Sequence, residues 1–445
     1  MEGAIRTGPE LAKNKKSLRL SFLDGIFCSG MVGFTQDHFT PFLLLLGGSA
    51  RHVGFLSSLP NLFAALVQLK TADLTLVLRS RKKIMTFFVL LQALILIPMA
   101  FLAYSLTAGA NWFIVLVTAF TAFGASATPA WGSLMSDLVA ERKRGEYFGW
   151  RNKVLGLITV ALSFLAGFIL HQFRQHAHPY AGFFFIFLSA CLFRLVSWYF
   201  LTRLHEPPLE FKKEDQFTLF MFLGRIRESN FARFVVFVAL LNFSVNIASP
   251  FFAVFMLRDL HFNYLLYTFL TVTATTTIYL LMPRWGKVAD QVGNLRVMKF
   301  TAPIIGILPL LWVINREPVI LWIWQLVSGF AWAGFNLCAS NFIYDAVSPS
   351  KRTRCIAYFN LLNGLALSLG AILGGYLSSH LPLYQGYSLL SLFIFSSLLR
   401  LVIGISLPSL LKEVRSVAHV RSDRLFFSVI GMKPLLGSDR EPVQY

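Results

Sequence analysis

The chain has 445 residues, of which 56% are hydrophobic and 14% are charged, and its formal net charge is +19. Soluble domains contain about 25% charged residues, so this composition excludes an ordinary soluble protein and indicates a membrane protein. The positive charge could suggest a nucleic-acid partner, but its distribution along the chain argues against one.

Twelve apolar runs are long enough to cross a bilayer, which requires about 20 helical residues for each crossing. Only helices or closed barrels satisfy backbone groups in lipid, and the short alternating segments of a barrel are not seen. The sequence therefore predicts an all-α integral membrane protein. The predicted spans are 18–46, 52–72, 84–106, 110–136, 149–171, 180–203, 231–257, 264–283, 298–315, 318–343, 355–379 and 384–407.

Lysine and arginine concentrate in every second connection between these runs, at 79–83, 142–153, 203–233, 284–299 and 351–354. This alternation follows the positive-inside rule. It predicts a multi-pass protein of the cell (inner) membrane with both termini in the cytoplasm. The basic side adds attraction to anionic lipid, and we expect a bilayer rather than nucleic acid as its partner.

The chain repeats one loop pattern in its two halves, at 137–156 and 345–364. Six residues coincide at a constant offset of 208: Asp137/Asp345, Val139/Val347, Lys143/Lys351, Arg144/Arg352, Asn152/Asn360 and Gly156/Gly364. A repeat near half the chain length is typical of a duplicated membrane domain. We predict a tail (1–17), a six-helix bundle (18–203), a linker (204–230), a second six-helix bundle (231–407) and a second tail (408–445).

The first and seventh spans carry matching polar stripes at an offset of 209, where Gly33, Asp37 and Pro41 correspond to Asn242, Asn246 and Pro250. Residues four apart share one helix face, so each stripe points in one direction. His38 follows Asp37 directly. We interpret Asp37, His38, Asn242 and Asn246 as candidates for a substrate or proton site. The alternative is hydrogen bonding between packed helices, with Asp37 near the membrane surface.

The second and eighth spans end in related loops, in which Lys70/Lys287, Asp73/Asp290 and Arg79/Arg296 match at an offset of 217. The second loop, GKVADQVGNLR at 286–296, resembles the loop signature of the major facilitator superfamily, G-x-x-x-D-x-x-G-x-[RK]-x-[RK]. The spacing of the signature places its two basic positions at Leu295 and Val297, and the basic residues present here are Arg296 and Lys299. The first loop lacks the glycines that correspond to Gly286 and Gly293, which permit a tight turn.

The resemblance covers residues 18–407 and implies a bacterial-type transporter of twelve helices in two pseudo-symmetric halves. In that family, helices 1, 4, 7 and 10 line a central cavity. The expected lining therefore includes Thr121, Gly124, Thr128 and Trp131 in the fourth span, and Gln325, Ser328, Trp332 and Asn336 in the tenth. The loops are expected to open and close the cavity through Asp73, Arg79, Asp137, Arg144, Gly286, Asp290, Gly293, Arg296, Asp345 and Arg352.

The predicted function is secondary active transport of a small organic solute by alternating access, with coupling to protons or another ion. The alternative is an exporter of drugs, lipids or other amphiphiles, which the 45 phenylalanines favour mildly. The sequence has no phosphate-binding loop and no HExxH motif, so we expect no enzyme activity, cofactor or metal, and a gradient as the energy source. We expect a monomer.

Two further patterns lead to structural predictions. Arg194 and Arg400 each begin an Arg-Leu-Val sequence about two turns from a basic loop, and we interpret both as extending their charge to the membrane surface. The linker contains apolar residues spaced for an interfacial helix, and residues 422–436 of the tail are predicted to touch the membrane weakly.

Overall fold

A computed structural model describes residues 8–78, 80–104, 109–139, 144–176, 178–206, 224, 228–347 and 349–414. Within these ranges the regular structure is helical. The first half contains α1 Gly8–Thr35, α2 Phe39–Leu45, α3 Ala50–Leu78, α4 Arg81–Leu94, α5 Leu96–Phe101, α6 Ala110–Leu138, α7 Arg144–Gln175 and α8 Pro179–Thr202. The second half contains α9 Asn230–Ala248, α10 Phe251–Val254, α11 Tyr264–Val292, α12 Asn294–Ile314, α13 Pro318–Ala346, α14 Pro349–Leu377 and α15 Ser388–Ser406.

Ten helical segments in the described part of the chain are long and apolar enough to cross a membrane, beginning with Arg81–Tyr104 and ending with Ser388–Leu410. This finding confirms a polytopic helical protein. The first two predicted spans, in α1–α2 and α3, are helical but are not among these ten. The count of twelve crossings therefore stays a prediction.

Several helices extend beyond the predicted apolar runs. Helix α1 begins at Gly8 rather than at residue 18, and α14 begins at Pro349 rather than at residue 355. The added residues are rich in lysine and arginine, which are good helix formers but do not belong to an apolar run. Hydropathy therefore locates the membrane-spanning part of a helix and misses its basic extension. The predicted linker helix and residues 422–436 lie outside the described residues.

One compact unit comprises Met1–Lys213, Val245–Val272 and Asn360–Leu392. Its core contains a cluster of buried phenylalanines, in which the ring of Phe42 lies 4.9 Å from those of Phe113 and Phe183. Helices α3 and α14 approach closely along their small residues. A Cβ atom added to Gly54 would lie 2.8 Å from the Ala371 oxygen, so the two backbones touch there.

A second unit comprises Glu214–Ser244, Thr273–Phe359 and Phe393–Tyr445. Trp285 is fully buried and donates its indole N–H to the Phe330 oxygen at 2.9 Å, which satisfies the polar atom of this large side chain. Phe234 stacks on Phe342 with the ring centroids 4.5 Å apart. Aromatic side chains thus pack in the cores of both units. The division into two bundles at 18–203 and 231–407 stays a prediction.

Candidate transport site and loop contacts

Both polar stripes lie where a proline interrupts its helix. Helix α1 ends at Thr35, and a 3₁₀ turn over Gln36–His38 precedes α2, which contains Pro41. Helix α9 ends at Ala248, and α10 starts just after Pro250. Proline has no N–H to donate to the carbonyl four residues earlier, so the backbone oxygens of Asp37 and Asn246 have no helical donor. Broken helices of this kind form binding sites in many transporters.

The break in the first span gives Asp37 two contacts with other helices. The Ser163 hydroxyl on α7 donates to Oδ2 of Asp37 at 2.6 Å. The Tyr267 hydroxyl on α11 donates to the backbone oxygen of Asp37 at 2.8 Å, which supplies the donor that Pro41 removes. Asp37 itself is half-buried. Neither Ser163 nor Tyr267 was predicted as part of this site.

His38 is completely buried beside Asp37. Its Nε2 lies 3.3 Å from the Ser163 oxygen, a contact that requires a proton on Nε2. Its Nδ1 has no hydrogen-bond partner among the described residues. Asp37 and His38 therefore both contact Ser163.

Asn246 has a different environment from Asp37, although the two correspond in sequence. Its amide nitrogen donates to the Leu367 oxygen at 2.6 Å and lies 3.3 Å from the Ser57 hydroxyl. A neighbouring hydrogen bond joins the same helices, in which the Ser368 hydroxyl donates to the backbone oxygen of Ser58 at 2.8 Å. The side chain of Asn246 is buried and forms hydrogen bonds between packed helices.

The other predicted cavity residues, Asn242, Gln325, Trp332 and Asn336, belong to the second unit. Asn242, Gln325 and Trp332 are half-buried and Asn336 is exposed. The Trp332 ring packs edge-on against Phe335, with the centroids 5.9 Å apart. Trp332 therefore adds a large apolar surface to the stripe on α13, whose other members include the polar residues Gln325 and Asn336.

The second signature loop has a well-defined geometry. Gly293 separates α11 from α12 and has a φ of +91°, a conformation that favours glycine. The Glu413 carboxylate accepts the backbone N–H of Leu295 at 2.7 Å and thereby caps the N-terminus of α12. The Asn294 amide donates to Asp345 at 2.7 Å, so this contact joins both loop motifs of the second half. Gly286 lies inside α11 and not in the turn that we predicted for it.

The remaining loop residues are only partly described. Asp290 is exposed and Arg296 is half-buried. Arg79 and the side chains of Asp73, Asp137, Arg144 and Arg352 lie outside the part that the structure describes.

The first half contains a contact like that of Glu413. Glu206 accepts from the backbone N–H of Arg81 at 2.6 Å and from the Ser80 hydroxyl at 2.8 Å, so it caps α4. Sequence reasoning missed both carboxylates. The signal that could have found them is a glutamate that follows the last span of each half.

Arg194 and Arg400 do not extend to the membrane surface, so that prediction was wrong. Arg194 is 6% exposed, and its guanidinium donates to Gln92 at 2.8 Å and to the Ser197 hydroxyl at 3.0 Å. Ser197 in turn donates to Asp24 at 2.6 Å. Arg400 is 3% exposed and lies 3.0 Å from the Ser396 hydroxyl. Internal polar partners made burial possible for both arginines.

The model of the Major Facilitator Superfamily matches residues 25–247 and 234–430. The chain belongs to this superfamily. It is a multi-pass membrane transporter and not an enzyme. No curated protein matches the sequence.

Solved structures share the fold at low sequence identity. The nucleoside transporter NupG is 15% identical, with a TM-score of 0.65 over 89% of this chain and 98% of its own. A bacterial homologue of the human lysosomal transporter Spinster, in an inward-facing unoccupied conformation, is 14% identical, with a TM-score of 0.66 over 95% and 99%. A D-xylose–proton symporter is 11% identical, with a TM-score of 0.69 over 91% and 99%.

Proposed function

We propose that this protein is a secondary active transporter that moves a small polar organic solute by alternating access, coupled to protons through Asp37. The observation that carries the proposal is the interrupted first span. It places a carboxylate and a buried histidine together, within an apolar sequence, where Asp37 contacts α7 and α11 and His38 contacts α7. Ionisable groups at such depth are costly and usually serve a transport pathway.

The similar structures support a polar solute and a proton gradient. One of them is named as a nucleoside transporter and another as a sugar–proton symporter. Trp332 and Gln325 on α13 supply the aromatic surface and the amide that can hold such a solute. Asn242 and Asn336 are the further candidates for its polar contacts.

We further propose that the cytoplasmic loops stabilise one of the two states. Asp345 holds Asn294 at the start of α12, and Glu413 caps the same helix. Movement of α12 would break both contacts together. The positive-inside distribution supports an inner-membrane location with cytoplasmic termini, and the functional unit is proposed to be a monomer.

An exporter of amphiphiles is the second candidate. The 45 phenylalanines favour it, because a Phe-rich cavity would suit an apolar cargo. The direction of transport distinguishes the two functions. An exporter should move its cargo outward against the concentration gradient of that cargo. The first proposal expects the solute to accumulate inside.

The test begins with a binding screen on the purified protein, using uridine, xylose and benzoate as probes. A ligand of the folded state raises the melting temperature by mass action. The compound that binds is then followed in proteoliposomes with an imposed pH gradient. We expect Asp37→Asn to abolish accumulation above equilibrium, because the variant cannot carry a proton, while exchange without a gradient continues.

Ser163→Ala is the matched control, since it removes the donor to Asp37 but leaves the carboxylate. It should keep driven accumulation. If Asp37→Asn accumulates the compound like the wild-type protein at every pH, Asp37 does not couple transport to protons.

A further inference from the structure

The first unit contains more buried positive charge than its described carboxylates neutralise. Away from the loops, Arg151 and Arg194 are 7% and 6% exposed, and Asp24 is 4% exposed. Asp24 reaches Arg194 through Ser197, so its charge is already engaged by that arginine. Asp24 also attracts the guanidinium of Arg151, so one buried carboxylate serves two buried arginines among the side chains that the structure describes.

Arg151 has a fixed orientation. Its Nη2 donates to the backbone oxygen of Ser21 at 3.2 Å, and its guanidinium stacks over the Trp131 ring at 4.6 Å. The Nε atom is buried and has no hydrogen-bond partner in the described part of the chain. One side of the guanidinium is thus held by α1 and α6, and one N–H remains available to a further acceptor.

Tyr147, an ionisable residue beside Arg151, does not balance this charge. Tyr147 lies just outside the membrane-spanning segment and donates to the Leu18 oxygen at 3.3 Å. Burial raises the pKa of Tyr147, although Arg151 beside it acts in the opposite direction. The phenol therefore stays neutral at physiological pH and offers no negative charge.

Such a group suits an anion that is not part of the protein. One carboxylate does not neutralise two buried guanidinium groups, and a bound carboxylate would balance the second charge. Stacking on tryptophan fixes the guanidinium plane, and a fixed planar donor recognises carboxylates with good geometry.

We propose that Arg151 binds the negatively charged group of the transported solute, and that this solute is a small organic carboxylate. This inference rests on the proposed function and names the substrate class for it. Arg151 provides the charge and Trp131 orients it, and Asp24, which is shared with Arg194, leaves one of the two arginine charges to the solute.

The experiment measures thermal stabilisation of the purified full chain by benzoate and succinate, and by benzamide and succinamide as their neutral analogues. We expect the carboxylates to stabilise the wild-type protein and the amides to have no effect. Arg151→Gln should weaken the apparent affinity for the carboxylates by about tenfold or more. Lys153→Gln is the control, because Lys153 is an exposed basic residue two positions away.

Arg151→Lys keeps the positive charge and provides a second test in case Arg151→Gln does not fold. It should bind carboxylates more weakly than the wild-type protein, since an ammonium lacks the planar fork. Equal stabilisation by carboxylates and amides in the wild-type protein would overturn the inference without any variant. So would carboxylate binding that Arg151→Gln leaves unchanged.

A flux assay separates this inference from the proposed function. Driven accumulation of uridine or xylose without any carboxylate binding would overturn the anion site and leave the transporter proposal in place. Arg151-dependent carboxylate binding without flux of any probe would leave the anion site and overturn transport.

Discussion

Gly293 shows how one residue can define a loop. Its φ of +91° and ψ of 154° belong to a region that only glycine adopts readily. A side chain at this position would also collide with the Glu413 carboxylate, which caps α12. Both the turn and the cap therefore depend on the absence of a Cβ atom.

We predict that Gly293→Ala destabilises the protein by about 1–3 kcal/mol, the cost of a strained backbone residue. Gly286→Ala is the matched control. That glycine is helical and its added Cβ would make only an ordinary contact with Leu337 at 3.6 Å, so alanine should stabilise by about 0.5–1 kcal/mol. Melting temperatures in one detergent give the comparison. Equal temperatures for the two variants would contradict this account.

Single residues also show where sequence reasoning stops. Gly293 could be predicted, because the signature spacing places it at a turn. Arg194 could not, since its partners Asp24, Gln92 and Ser197 come from distant parts of the chain or from a face that hydropathy does not distinguish. Asn246 was predicted as a possible packing residue or ligand, and only the fold shows that its amide contacts Leu367 and Ser57.

At the scale of helices, the two prolines explain the discontinuous first and seventh spans. Pro41 and Pro250 were visible in the sequence, and each interrupts its helix in the structure. The sequence could not show what replaces the missing helical donor. In the first span, that donor is the Tyr267 hydroxyl, 230 positions along the chain.

We predict that Tyr267→Phe weakens the contact between α11 and the first span. A typical hydrogen bond contributes about 0.5–1.5 kcal/mol. This free energy corresponds to roughly a 2- to 10-fold change in the equilibrium between the closed and open forms of the contact between α11 and the first span. Pro41→Ala should act in the same direction, because the new N–H competes with Tyr267 for the Asp37 oxygen. A cysteine placed at the buried Thr268, in a background without the native cysteines, should react faster with maleimide in both variants.

Tyr264→Phe is the control for these two variants. Its ring packs under Arg174 at 5.1 Å, and this contact does not require the hydroxyl. Labelling at position 268 should match that of the parent protein. Unchanged labelling in Tyr267→Phe would mean that this hydroxyl does not help to close the structure.

At the scale of the whole molecule, the sequence was sufficient for the family and insufficient for the substrate. The composition reflects the bilayer environment, and the duplicated loops reflect the fold. Many transporters with different substrates share both features. A substrate is recognised by a few side chains whose spacing depends on helix packing. The close approach of α3 and α14 is one such packing feature, and small residues such as Gly54 and Gly375 make it possible.

We predict that Gly54→Leu prevents this approach, because even a Cβ atom would lie 2.8 Å from the Ala371 oxygen. Transport should be lost while the protein still folds, and the cysteine at position 268 should become more reactive. Phe55→Leu is the neighbouring control, since Phe55 is 42% exposed and its replacement leaves the backbone contact intact. Transport by Gly54→Leu at the wild-type rate would show that the approach is dispensable.

The two hydrogen bonds of Asp37 differ in what they can sense. Tyr267 donates to a backbone oxygen, whose acceptor strength does not change when the carboxyl group gains a proton. Ser163 donates to the carboxylate itself, so protonation weakens that contact or reverses its direction. Protonation of Asp37 would thus change its hydrogen bond to α7 and leave its hydrogen bond to α11 unchanged. One residue therefore combines a contact that depends on its protonation state with a contact that fixes its position independently of that state.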